Sequence, residues 1–374
     1  MEGFVSAGKR YALLSLLLLF ATITRALAAP STQPDAQPTY YVIPIAGGVV
    51  EGMSDAFAKA LEAARAAKAT HVLLVLDTPG GLVDEMNAML ELMAASKEFQ
   101  FVALVDNAGS AGAVLAMACP DIVITPSGAM GAAAMVGLPK DATLRMKIES
   151  YNAAKVRAAV EAAGHDVLIA RGMMEPGLEL RRIVRDGKSR IVDPEELRRT
   201  GEARGRKFKL PDGAKMSTLK DRGKLISLTP AEAVELGVAR GIVQTSQRPG
   251  ANDVRYPLDD IPPLIGLAAW KQVGSAEPMM RKLRAAVERE AHLTEHKQEL
   301  DDIDAKAKSL QQTANSLQDQ INQQQAAIED LPNNARGAAR GRITTLQNQL
   351  NATLDEIRQL NNRKKEILRG PKAK

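Results

Sequence analysis

Three short stretches carry residue types that could do chemistry. Asp77-Thr78-Pro79-Gly80-Gly81 follows an apolar run. Consecutive glycines let a backbone turn sharply and present bare N–H groups to a ligand. Gly109-Ser110-Ala111-Gly112 follows the next apolar run and opens a small-residue helix. A serine there sits at the carboxyl end of a strand, where α/β sheets place ligands, and near the positive end of a helix, which favours developing negative charge. Lys147 stands at the start of the following helical stretch. Each feature alone has a plain structural reading as tight packing, a helix cap or a solvated lysine. Their order points to a site: strand–PGG, strand–GSAG, helical lysine. No histidine is well placed as a base. His71 opens a buried strand, His165 lies beyond the Lys147 helix, and His292 and His296 fall in the coiled-coil stretch that begins near Glu277. Ala108 precedes the serine by two, so this is not the nucleophile elbow of α/β-hydrolases.

The elements that must position these residues read as βα units. Tyr40–Ile45, His71–Leu76, Phe101–Val105 and Ile122–Ile124 are short all-apolar strands. Between and after them lie helical stretches at 54–67, capped by Ser54, at 82–95, 110–118 and 147–163. Such alternation predicts an α/β fold with a parallel sheet covered on both faces. Residues 181–220 hold thirteen Lys or Arg against six Asp or Glu and read as an extended or partly mobile basic excursion within 173–223. It is either a solvated loop or a face toward an anionic membrane or acidic partner. Thr229-Pro230 caps a further helix ending at Gly237.

The chain has 374 residues, a formal charge of +5, 3% aromatic residues and one cysteine. Length predicts two or three domains. So few aromatics disfavour a base-stacking surface, and nucleic acid is not expected as a partner. One cysteine excludes an intrachain disulfide. Lys9-Arg10, the apolar run Tyr11–Ile23 and Ala26-Leu27-Ala28 have the layout of a signal peptide over 1–28. Export is therefore expected, to the periplasm or another extracytoplasmic space, with an uncleaved membrane anchor as the rival reading. A linker is expected at 247–276.

From about Glu277 the composition turns to Gln, Asn, Glu, Lys, Leu and Ala. Apolar residues recur at alternating spacings of three and four from Leu300 to Leu331, with Gln324 as a polar fault, and again from Ile343 to Ile367. That is the coiled-coil rule, broken at Pro332-Asn333-Asn334. Over 277–370 it predicts either an antiparallel hairpin or helices that pair between chains. His292-Leu-Thr-Glu295-His296 matches the H-x-x-E-H metalloprotease pattern. At the start of a coiled coil its histidines are expected to face solvent, and no metal is expected.

LDTPGG at 76–81, GSAGA at 109–113, TPSGAMGAA at 125–133 and KIESY at 147–151 resemble the ClpP-class, NfeD-type membrane-bound serine proteases of the ClpP/crotonase superfamily, relatives of signal peptide peptidase A. The likeness covers about 39–172 and resumes in KLISLTPAEAVELGVARGIV at 224–243. It implies a ClpP/crotonase-like domain over 39–246 that works without a cofactor. It also implies a Ser110–Lys147 dyad and an oxyanion hole of backbone N–H groups from Gly80, Gly81 and Ala111. A serine hydroxyl needs a base within hydrogen-bond reach. Burial beside apolar groups, which 129–137 could supply, disfavours an ammonium and frees an amine to act as that base. The expected activity is that of an exported serine endopeptidase acting on protein or peptide. The coiled coil would serve a homo-oligomer or a membrane-associated protein partner. The rival is a non-catalytic exported scaffold with a degenerate core. Unlike many of the family, this chain shows neither several membrane spans nor a β-barrel segment after the protease.

Overall fold

The computed structural model describes residues 37–203, 209–243, 258–330 and 332–370. The expected signal peptide, the first part of the expected linker and Leu331 lie outside the described residues.

Four parallel strands form the centre: β1 (Thr39–Ala46), β2 (His71–Thr78), β3 (Gln100–Gly109) and β4 (Asp121–Gly131). Helices α1 (Met53–Ala66), α2 (Val83–Ala95) and α3 (Ala111–Met117) connect them. The central strands are apolar at nearly every position because both faces are covered. Ile43, Leu74, Leu76, Val105 and Ile124 pack under the helices with Phe57, Met89 and Leu115. Val42, Leu73, Val75, Leu104 and Val123 face the other side, where Trp270 stacks on Tyr40 at 4.3 Å between ring centroids.

Glu85 of α2 caps α1 in place of the expected Ser54. Its carboxylate accepts from the N–H groups of Gly52 (3.0 Å) and Ser54 (2.7 Å). Burial alone would raise this carboxyl's pKa, but the hydrogen bonds from Ser54, Gly52 and Met53 outweigh it and hold Glu85 below the usual range.

After β4 come α4 (Ala142–Ala162) and α5 (Val167–Met174). The helix bearing Lys147 thus begins five residues before the expected start. Asp141 caps it, accepting from Leu144 N–H at 2.7 Å.

The described part of the basic excursion is regular structure. Strands β5 (Leu180–Arg185), β6 (Lys188–Val192) and, after α6 (Pro194–Ala203), β7 (Lys215–Lys220) form an antiparallel sheet in the order β6-β5-β7. Leu180, Ile191 and Val192 are its buried apolar side chains. Arginines are compatible with β5 because acids meet them: Arg181 pairs with Glu179 at 2.6 Å and Arg182 with Glu235, while Arg222, just after β7, pairs with Glu195 at 2.5 Å. Lys220 is buried and donates to the carbonyls of Pro176 and Leu178.

The chain returns to the main sheet through β8 (Ser227–Leu228), α7 (Pro230–Glu235) and β9 (Gly241–Ile242). Thr229 and Glu232 form a capping box around Pro230, so the helix start expected there is present. A short α8 (Ile261–Leu264) precedes β10 (Lys271–Ser275). This last strand pairs in parallel with β1, so part of the expected linker is an edge of the sheet.

Helix α9 (Glu277–Glu295) starts on the core, with Met280 buried and Ala276 N–H on the carbonyl of Val42 at 2.8 Å. Helices α10 (Lys297–Ile328) and α11 (Asn333–Arg369) fold back on each other within the chain. Arg363–Glu299 (2.7 Å), Lys364–Asp304 (2.5 Å) and Lys306–Glu356 (2.6 Å) bridge them in antiparallel order. Ile303, Ala314, Ile321, Ala339, Ile343 and Ile367 are buried in this pair.

Candidate functional site

The carboxyl ends of β2, β3 and β4 lie side by side, with Thr78 opposite Ala108 and Gly109 opposite Gly131. A bulge at Asp106 shifts the register just before the serine, since Val105 pairs with Leu76 but Asn107 with Asp77. Such a bulge re-aims the strand end. Ser110 then takes φ 51°, ψ −117°, a backbone state that serine rarely adopts, and leads into α3. Strain of this kind persists only where the surroundings impose it. Here the Ser110 N–H donates to Gly131 O at 2.9 Å, and the Ser110 carbonyl accepts from Ala113 N–H at 3.0 Å.

The glycine turn lies directly against the serine. A Cβ on Gly80 would stand 2.5 Å from Ser110 Cβ and 3.0 Å from Ala111 N. One on Gly81 would strike the Val49 backbone at 2.1 Å. The turn is also fixed by Val49 N–H on Gly80 O and Leu82 N–H on Val49 O, both 2.8 Å.

Of the three expected oxyanion donors, Gly80 is already engaged, its N–H donating to Thr78 Oγ1 at 3.0 Å. Ala111 is the first residue of α3, so its N–H has no partner within the helix. The described residues record no acceptor for Gly81 N–H. Gly81 and Ala111 are therefore the donors beside Ser110 that remain open to a ligand.

Ser110 is half-buried and lines a cavity of about 70 Å³ with Gly81, Met86, Val114, Ala133, Val156 and Met174. No histidine lines it. Lys147 is exposed and lines an adjoining open groove with Val83, Asn87, Tyr151 and Lys155. Val83, Met135, Val136 and Asn152 border both spaces. Among the described residues no hydrogen bond joins Ser110 to Lys147. The dry surroundings expected for the lysine are absent: Lys147 is exposed, and Val136, which borders both spaces, is 91% exposed. Of the other lysines nearby, Lys155 is held as an ammonium by Glu91 at 2.7 Å, which raises its pKa, and Lys140 is exposed.

Two buried asparagines escaped the sequence reading. Asn87 Nδ2 donates to Asn152 Oδ1 at 2.6 Å, and Asn152 Nδ2 donates to Ile148 O at 3.0 Å. Asn87 Oδ1 is buried without a hydrogen-bond partner among the described residues. Polar residues amid the apolar spacing of 83–95 and 152–160 were the available signal.

The core is thus a mainly parallel α/β sheet with a serine at a strand–helix junction, set against a glycine turn. The family model "NfeD1b, N-terminal domain" matches residues 39–207, so that segment is similar to the NfeD1b N-terminal domain. A Bacillus subtilis (strain 168) relative, "Membrane protein NfeD1b", is 33% identical over 177 residues. The match covers 47% of this chain and 39% of the relative, so it spans about two fifths of that relative's length. Solved structures with likeness include a serine-to-alanine mutant of the 1510-N membrane-bound stomatin-specific protease, at TM-score 0.38 and 20% identity over 56% of this chain and 82% of that one. A 1510-N membrane protease specific for a stomatin homolog from Pyrococcus horikoshii aligns at TM-score 0.35 and 19% identity over 56% and 76%. Among the described residues no helix is long and apolar enough to cross a membrane.

Proposed function

We propose that this chain is a serine endopeptidase of the extracytoplasmic side, exported by its N-terminal segment, which hydrolyses peptide bonds with Ser110 as nucleophile and Lys147 as base. The strained backbone of Ser110 against the glycine turn supports the reading; in it the Ser110 hydroxyl attacks and the Gly81 and Ala111 N–H groups receive the oxyanion. In that reaction the neutral amine of Lys147 takes the hydroxyl proton as Ser110 Oγ bonds to the peptide carbonyl. The proton then goes to the leaving amine, and water releases the acyl group by the reverse sequence. Lys147 must first enter the space bordered by Met135 and Val136, and a peptide laid along that segment would displace it. Catalytic contacts commonly tighten only when substrate is bound. Loss of one oxyanion donor would cost about 10²–10³ in rate.

The test is hydrolysis of a peptide library by the purified protein. Ser110→Ala and Lys147→Ala should each abolish turnover to a similar extent, because residues acting as a unit are strongly non-additive. Lys155→Ala should be mild. Activity lost with Ser110 but kept with Lys147→Ala would place the base elsewhere. The separation of Ser110 from Lys147 favours a second reading, a non-catalytic scaffold whose C-terminal hairpin binds a partner. No Ser110-dependent hydrolysis would select it.

A further inference from the structure

His292, Glu295 and His296 stand where α9 gives way to α10, away from the serine. Spacings of three and four put all three on one side of a helix. One donor atom from each lies within 4.8 Å of the others, with both histidines half-buried and Glu295 exposed. The rings face each other at 4.3 Å between centroids. His292 Nε2 meets Ile367 O of α11 at 3.1 Å, and His296 Nδ1 meets His292 O at 2.9 Å. A carbonyl oxygen can only accept, so each of these nitrogens carries the proton. The tautomers are thereby set, leaving a lone pair on His292 Nδ1 and on His296 Nε2. A ring held by a backbone carbonyl through one nitrogen is how proteins orient a metal-binding histidine. The histidines therefore do not simply face solvent, as their place in the sequence suggested.

We infer that His292, Glu295 and His296 form a binding site for a borderline divalent transition metal, Zn²⁺ foremost. Two imidazoles and one carboxylate suit that ion class, with water completing the shell. A metal there would fix the α9–α10 junction, and the His292–Ile367 contact would carry that restraint to the end of α11. The site joins the core to the helical hairpin and does not depend on the peptidase reading. Competition from elsewhere in the chain is small, since two of its four histidines are in the site and its one cysteine is buried.

Calorimetric titration of ZnSO₄ into the metal-free full chain tests this. One Zn²⁺ should bind per chain, and His292→Gln and His296→Gln should each weaken binding at least about tenfold. Glutamine favours a helix at least as well as histidine, so the circular dichroism should hold. Co²⁺ should give a visible d–d spectrum in the wild type that the His292→Gln variant lacks. His165→Gln should leave uptake unchanged. Failure of the wild type to take up Zn²⁺ stoichiometrically would overturn the site. So would uptake by the His292→Gln/His296→Gln double variant equal to that of the wild type.

Discussion

Gly80 lies so close to Ser110 that no side chain fits there without moving the serine. The positive φ of Gly80, 104°, already disfavours any side chain, and an added Cβ would push on Ser110. Gly80→Ala should therefore destabilise the protein by about 2–5 kcal/mol in urea unfolding, the sum of backbone strain and overpacking. It should also displace the serine, so that reactivity at Ser110 falls even at temperatures where the variant is folded. The place of Ser110 at a strand–helix junction was legible in the sequence because an apolar run ends at Gly109 and a run of small residues follows. The state of its partners was not. The diversion of Gly80 N–H to Thr78 is a local turn contact across two residues that the motif itself carries, whereas the exposure of Lys147 follows from tertiary packing that residue spacing does not encode.

Elements legible in the sequence were those whose own residues set them. The strands of the parallel sheet announce themselves by unbroken apolar runs, and α7 by its own Thr229-Pro230 start. Elements that depend on distant partners were missed. β5 to β7 are basic, with three arginines in β5, and Glu179 and Glu235 offset that charge at Arg181 and Arg182 beside few buried residues. The cap of α1 comes from Glu85, 33 residues beyond Gly52. Glu85→Gln keeps the shape and removes the charge. It should cost on the order of 1 kcal/mol at neutral pH, given the partial exposure of the group. The folded pKa of Glu85 is depressed, so its contribution is present above the unfolded carboxylate pKa and fades as pH falls through the folded value. Urea unfolding at a series of pH values should show wild type and Glu85→Gln converging in acid. A constant gap would mean the carboxylate charge is not what caps α1.

At the scale of the whole molecule, α9 belongs to the core and the α10–α11 hairpin projects from it. Met280 is 1% exposed among core side chains, so Met280→Ala should lower core stability by about 2–5 kcal/mol. A chain ending after His296 should keep the core's melting transition, while one ending at Ala276 should lose much of it. Equal melts for the two would mean that α9 contributes nothing to the core. The central claim is that the core is built around a reactive serine. It is tested most directly by exposing the full chain to a fluorophosphonate and measuring intact mass and the labelled peptide. The account predicts one adduct, on Ser110, absent from Ser110→Ala and reduced in Gly80→Ala. A wild-type protein that stays unlabelled, or that is labelled equally when Ser110 is alanine, would contradict it.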